Sequence, residues 1–131
     1  MRRATALGIV IGVLLLVNVF IGEARLAWTL LPVHIALGAT AFGASIFYSV
    51  ISRGYRPAVI FGALLVVLIG LQGTLGLMMV FGLHGQLIET AHRFAGNASF
   101  LIGLVGGIVV GRMYRRATSS TGQQPLLTSP S

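Results

Sequence analysis

The stretch Pro57–Ile88, "PAVIFGALLVVLIGLQGTLGLMMVFGLHGQLI", contains no Asp, Glu, Lys or Arg. A helix through it is long enough to cross about 30 Å of hydrocarbon and begin a turn beyond. Its apolar residues alternate only weakly and glycine recurs along it, so it is a poor match for a barrel strand. Backbone polar groups in lipid have to be satisfied within the segment, which leaves the helix as its structure.

Working outward, the charges cut the rest of the chain into three more uncharged runs: Ala4–Gly22, Leu26–Ser52 and Phe94–Gly111. Each is about 18 residues or longer, the length of a membrane span. The 131-residue chain is 56% hydrophobic and only 8% charged, with a mean hydropathy of +0.95. A soluble domain of this size has no use for so much apolar surface. The expected fold is all-α: a four-helix transmembrane bundle of two similar hairpins, multi-pass in the cell membrane, with the lipid bilayer around it. Helices are expected at 5–21, 28–51, 58–83 and 87–114. Residues 1–116 would form the membrane domain. Residues 117–131, rich in Ser, Thr, Gln and Pro, are expected to be a disordered cytoplasmic tail.

All nine basic residues are arginines. Arg2, Arg3, Arg53, Arg56, Arg112, Arg115 and Arg116 fall on one side of the expected spans, and Arg25 and Arg93 on the other. The positive-inside rule then predicts that both termini are cytoplasmic. The net charge of +7 is a topology signal, and no nucleic-acid partner is expected, because the arginines flank spans and make no soluble basic face. The opening "MRR" followed by an apolar run admits a signal peptide as an alternative, but the run is long and has no clear small-residue cleavage site. With no cysteine, disulfides, iron–sulfur clusters and thiolate zinc sites are excluded.

The two halves echo one another. Asn18-x3-Gly22 precedes "HIALG" (His34–Gly38), and Gln72-x3-Gly76 precedes "HRFAG" (His92–Gly96). A duplicated two-helix hairpin produces such a pattern, although short matches between apolar helices also arise by chance. Gly8-x3-Gly12 and Gly103-x3-Gly107-x3-Gly111 are small-residue ridges suited to close helix packing, within the chain or between protomers. Asn18, Gln72 and Asn97 are each expected to make an interhelical hydrogen bond, worth about 1 kcal/mol. Met78 and Met79 are expected to fill core gaps.

His34 and His92 each fall about five or six residues into their expected helices, roughly 8–9 Å below the helix starts. At equal depth they can face one another. On the same helix faces lie Gly38, Ala41 and Ser45 below His34, and Gly96, Ser99 and Gly103 below His92. Two histidines above two strips of small residues predict a flat slot for a porphyrin, with one imidazole on each side of the iron. The expected cofactor is a b-type, bis-histidine heme whose metal ligands are His34 and His92. A lone intramembrane histidine is ordinarily an interhelical hydrogen-bonding group, and small strips ordinarily pack backbones; it is the pairing that favours heme. Zinc or copper lacks a third and fourth ligand beyond His84 and Glu89. His84 is expected to be an exposed loop residue, with contact to a substrate or a propionate as the other option.

Glu89 stands one turn before His92. A carboxylate there suits the helix dipole, and it is also close enough to bond His92 or sit at a porphyrin edge. Arg93 is suited to reaching the headgroups, or with Arg25 to pairing with the propionates of a buried cofactor.

"LQGTLGLMMVFGL" (Leu71–Leu83) followed by "ETAHRFAGNASFLIGL" (Glu89–Leu104) resembles the heme A synthase family. Its members are eight-helix membrane enzymes of two similar four-helix halves, each with a histidine pair on its second and fourth helices. Glu89, His92 and Arg93 match the family's E-x-x-H-R motif, Gln72 and Gly76 match the helix that precedes a histidine helix, and His34 in "LLPVHIALG" matches the other ligand. The resemblance covers most of the chain outside the tail. It implies a half-length, four-helix member or relative that binds heme through His34 and His92 with Arg93, Arg25, Gly38 and Gly96 around it. If activity is retained, it implies oxidation of a heme O methyl group to give heme A, with Glu89 as the catalytic carboxylate. The E-x-x-H-R motif lies here on the fourth helix, whereas the family carries it on the second, and the outer-loop cysteines of many members are absent. A homodimer would rebuild eight helices. The alternatives are a small b-type cytochrome subunit passing electrons from quinol to a partner, and a heme-free structural subunit of a larger membrane complex.

Overall fold

The structure, a computed structural model, describes residues 2–24, 29–83 and 85–121. These form four α-helices: α1 (Arg2–Glu23), α2 (Leu31–Ile51), α3 (Arg56–Val80) and α4 (Gln86–Thr121). No strand occurs among the described residues. All four helices are long and apolar enough to cross a membrane.

Local chemistry sets the helix ends. α2 and α3 each carry a proline in the first turn, Pro32 and Pro57, where the missing N–H costs nothing and the fixed φ suits a helix. Pro32 explains why α2 begins at Leu31 rather than at the expected position 28, which lies outside the described residues. α3 stops three residues before the expected 83. The Leu83 N–H donates to the Met78 carbonyl at 2.9 Å and the Gly82 N–H to Met79 at 3.1 Å, with Gly82 at φ +85°. This is a Schellman cap, whose left-handed residue a side chain would strain. α1 is longer than 5–21 at both ends, and α4 continues past 114 to Thr121. The first residues of the expected tail are therefore helical, and residues 122–131 lie outside the described region.

Each helix packs against its two neighbours in chain order, and α1 also packs against α4, so the four close into a ring with α2 and α4 on one diagonal. The registers of contact run in opposite senses along every neighbouring pair. Gly8 meets Gly107, and Gly12 meets Gly103 and Leu104, across α1 and α4. Gly22 meets His34, and Gly8 meets Tyr48, across α1 and α2. Both glycine ridges thus pack within the chain.

The apolar core gathers Ile11 and Leu15 of α1, Ala41 and Tyr48 of α2, Leu65 and Ile69 of α3 and Val110 of α4. The outside is as apolar as the inside: Phe20, Ile60, Val67 and Phe94 are all more than half exposed. A helix that is hydrophobic all round needs an apolar surrounding. Two buried hydroxyls are satisfied within their own helices. The Ser45 and Ser99 hydroxyls donate to the carbonyls of Ala41 and Ala95, one turn back on their own helices, at 2.8 and 2.7 Å.

Candidate functional site

His34 sits in the first turn of α2 and His92 in the second turn of α4. They do not stand at equal counts from their helix starts, as the expected boundaries had them, yet the ring closure of the bundle brings them face to face. Their ring centroids are 6.2 Å apart with the planes tilted by 58°.

Each imidazole is placed by the helix before it. The Nδ1–H of His92 donates to the main-chain carbonyl of Gln72 on α3, at 2.9 Å. That bond fixes the tautomer and leaves Nε2 with a free lone pair. The close approach is possible because residue 76 is glycine: a Cβ there would stand 3.1 Å from His92 Cε1. The Gln72 side chain, in turn, lies over Gly96, where a Cβ would come within 3.1 Å of its amide nitrogen.

The first half repeats the arrangement more loosely. Gly22 faces His34, with an added Cβ 3.9 Å from Cε1, and the Asn18 amide lies over Gly38, 3.4 Å from a Cβ there. The Asn18 backbone approaches His34 much as the Gln72 carbonyl approaches His92, but the contact is poorly aligned and His34 Nδ1 makes no hydrogen bond of normal geometry. Asn18 is only 2% exposed, and its Oδ1 has no partner either. The expected interhelical bonds of Asn18 and Gln72 are therefore replaced by amide-over-glycine packing, with the Gln72 carbonyl taken by His92.

A cavity of about 490 Å³ opens between α2 and α3, bordered by His34, Gly38, Phe42, Gln72, Gly73, Leu77 and other residues of those helices, with Asn18 and His92 at its back. This size is typical of a small-molecule or cofactor pocket. The slot does not run down the strips below the histidines. Ala41, Ser45, Ser99 and Gly103 are buried, and Leu15 and Leu65 fill the space against Gly103. Of those strips only Gly38 borders the cavity, which turns sideways along the glycines and Thr74 of α3.

The remaining candidates lie away from it. Glu89 is exposed in the first turn of α4; it does not border the cavity, and the hydrogen bond at His92 goes to Gln72 instead. Arg93 is exposed and Gly96 is buried, and neither borders the cavity. Arg25 and His84 lie outside the described residues. Asn97 does reach another helix: its Nδ2 donates to Glu23 Oε1 of α1 at 3.5 Å, a long bond at an exposed site. Met79 borders the cavity. Among the described residues no three His, Cys, Asp or Glu converge as a closed metal site, so what the structure offers is a two-imidazole pair. Phe42, Gly73 and Thr74 carried no signal in the sequence, and the Gln72 carbonyl was marked only indirectly, by the glycine one turn after it. No protein-family model, no curated protein and no solved structure matches the chain.

Proposed function

We propose that the chain is an integral-membrane heme-binding protein, with His34 and His92 as the axial ligands of a b-type heme. The observation that carries this is the 6.2 Å separation of the two imidazoles. With metal–nitrogen bonds of about 2.0 Å, two rings this close can both hold one metal-centred group placed between them. Two rings that share a coordination axis can be rotated about it, so a 58° tilt is compatible. The residues fit the group in other ways. His92 is held in the tautomer that leaves Nε2 basic, and bare glycines face both rings. The chain has no cysteine, so attachment by thioether is excluded and the group would be held by ligation and packing alone.

When bound, heme supplies one-electron redox chemistry at an iron whose potential follows from its two nitrogen ligands and apolar surroundings. The residues of the chain orient it, exclude water and hold the Nδ1 proton of His92 on the Gln72 carbonyl. Two imidazoles would hold the group, and no carboxylate borders the cavity among the described residues, so an electron carrier between quinol and a membrane partner is the preferred role. The methyl oxidation implied by the resemblance to heme A synthases asks more: a second heme, hence a second four-helix unit, and a Glu89 that leaves the exposed surface for the reacting edge. The arginine distribution supports a bilayer orientation with both termini cytoplasmic and the histidine pair toward the outer leaflet.

The test is a visible spectrum of the detergent-solubilised protein produced with ample heme. A six-coordinate low-spin b-type spectrum is expected, and its loss in the double variant His34→Ala/His92→Ala. A colourless wild-type protein would leave only the structural-subunit role.

A further inference from the structure

We infer that the two imidazoles are unequal, His92 being the fixed axial ligand and His34 the exchangeable one, so that a small neutral donor such as carbon monoxide takes the position on the α2 side. This rests on the heme-binding reading above, but different observations carry it.

Three features separate the two rings. His92 is anchored by its Nδ1–H bond to the Gln72 carbonyl at 2.9 Å, whereas His34 Nδ1 has only a poorly aligned contact with the Asn18 backbone and no hydrogen bond of normal geometry. Such outer-shell bonds fix a ligating histidine and raise its basicity. Gly76 lies tightly against His92, and Gly22 loosely against His34: an added Cβ would stand 3.1 Å from the one ring and 3.9 Å from the other. The free volume is equally one-sided. His34, Ile35, Gly38, Ala39 and Phe42 of α2 border the cavity, while α4 contributes only His92.

His34 therefore has room to swing and only a poorly aligned contact with the Asn18 backbone to hold it. It also has somewhere to go. Asn18 borders the same cavity and is buried, with an Oδ1 that lacks a partner. A displaced imidazole in an apolar interior needs an acceptor for its N–H, and that oxygen is one. Exchange breaks one bond from an imidazole nitrogen and forms one from the incoming lone pair; no proton or electron moves.

The experiment uses the heme-loaded full chain in detergent, reduced with dithionite and titrated with carbon monoxide. Wild-type protein is expected to show a carbon monoxide-induced shift of its absorption bands. His34→Ala is expected to lose clearly less heme than His92→Ala, and the heme it keeps is expected to bind carbon monoxide about tenfold or more tightly than wild type. His92→Ala is expected to lose heme about tenfold or more, the scale on which ligand-shell losses act. The wild-type titration needs no variant to fold. A heme-loaded wild type silent at saturating carbon monoxide overturns the inference and leaves heme binding standing, and so does equal heme loss in the two variants. A wild type that takes up no heme overturns both readings.

Discussion

At the end of the bundle that carries Arg53 and Arg56, glycine meets glycine between α1 and α4, while Gly62 and Gly106 face the side chains of Ser49 and Phe61. Gly8 lies on Gly107 and Gly12 on Gly103, drawing the α1 and α4 backbones together, and Leu15 and Leu65 fill what remains. At the histidine end, glycine meets a polar side chain: Gly22 and Gly76 face imidazoles, and Gly38 and Gly96 face amides. One end uses the missing side chain to bring helices close, which is where packing attraction in lipid comes from. The other uses it to make room for groups that contribute little to packing, and leaves a cavity of about 490 Å³ beside them. Close backbone packing and the histidine pair with its cavity thus lie at opposite ends of the same four helices.

That contrast can be broken by substitutions, the strongest first. Leu15→Ala removes a side chain 1% exposed and is expected to destabilise the fold by about 2–5 kcal/mol, measured by denaturant titration in detergent; a loss confined to heme binding would contradict the division. Gly76→Ala is expected to act the other way, weakening the proposed heme binding about 10–100-fold with little change in unfolding midpoint, since the added carbon meets His92 and not a helix backbone. Ser99→Ala is expected to cost no more than about 1 kcal/mol, because its hydroxyl serves only its own helix. Smallest is Gly43→Ala: nothing lies within 4 Å of an added Cβ, so a gain of up to about 1 kcal/mol from helix propensity and an unchanged spectrum are expected. A large loss there would show that the exposed face of α2 is covered by something in solution.

The uncharged runs made all four helices legible, because charge is too costly in hydrocarbon to be placed anywhere but at span ends. Their ends were less so. The Schellman cap at Gly82 depends on a backbone conformation that a glycine permits but does not announce, and Pro32 competed with an apolar run that continued upstream of it. The recurrence of amide-x3-Gly and His-x3-Gly marked four glycines that lie against the two imidazoles and two amides, since a shared geometry imposes a shared spacing. Which small residues line a space and which are filled by a neighbour was not legible. Ala41 and Gly103 have the composition of a slot, and only the positions of Leu15 and Leu65 reveal them as core. The acceptor for His92 is a main-chain carbonyl, and every residue has one.

The Gly8–Gly107 contact has a bearing on traffic. It zips α1 to α4, and the cavity of about 490 Å³ opens across the ring, between α2 and α3. In a bilayer that doorway faces acyl chains, not water. Anything bound for the imidazoles would then arrive by diffusing in the plane of the membrane. Its supply would be set by how much of it the lipid dissolves, and its first competitor would be a lipid tail.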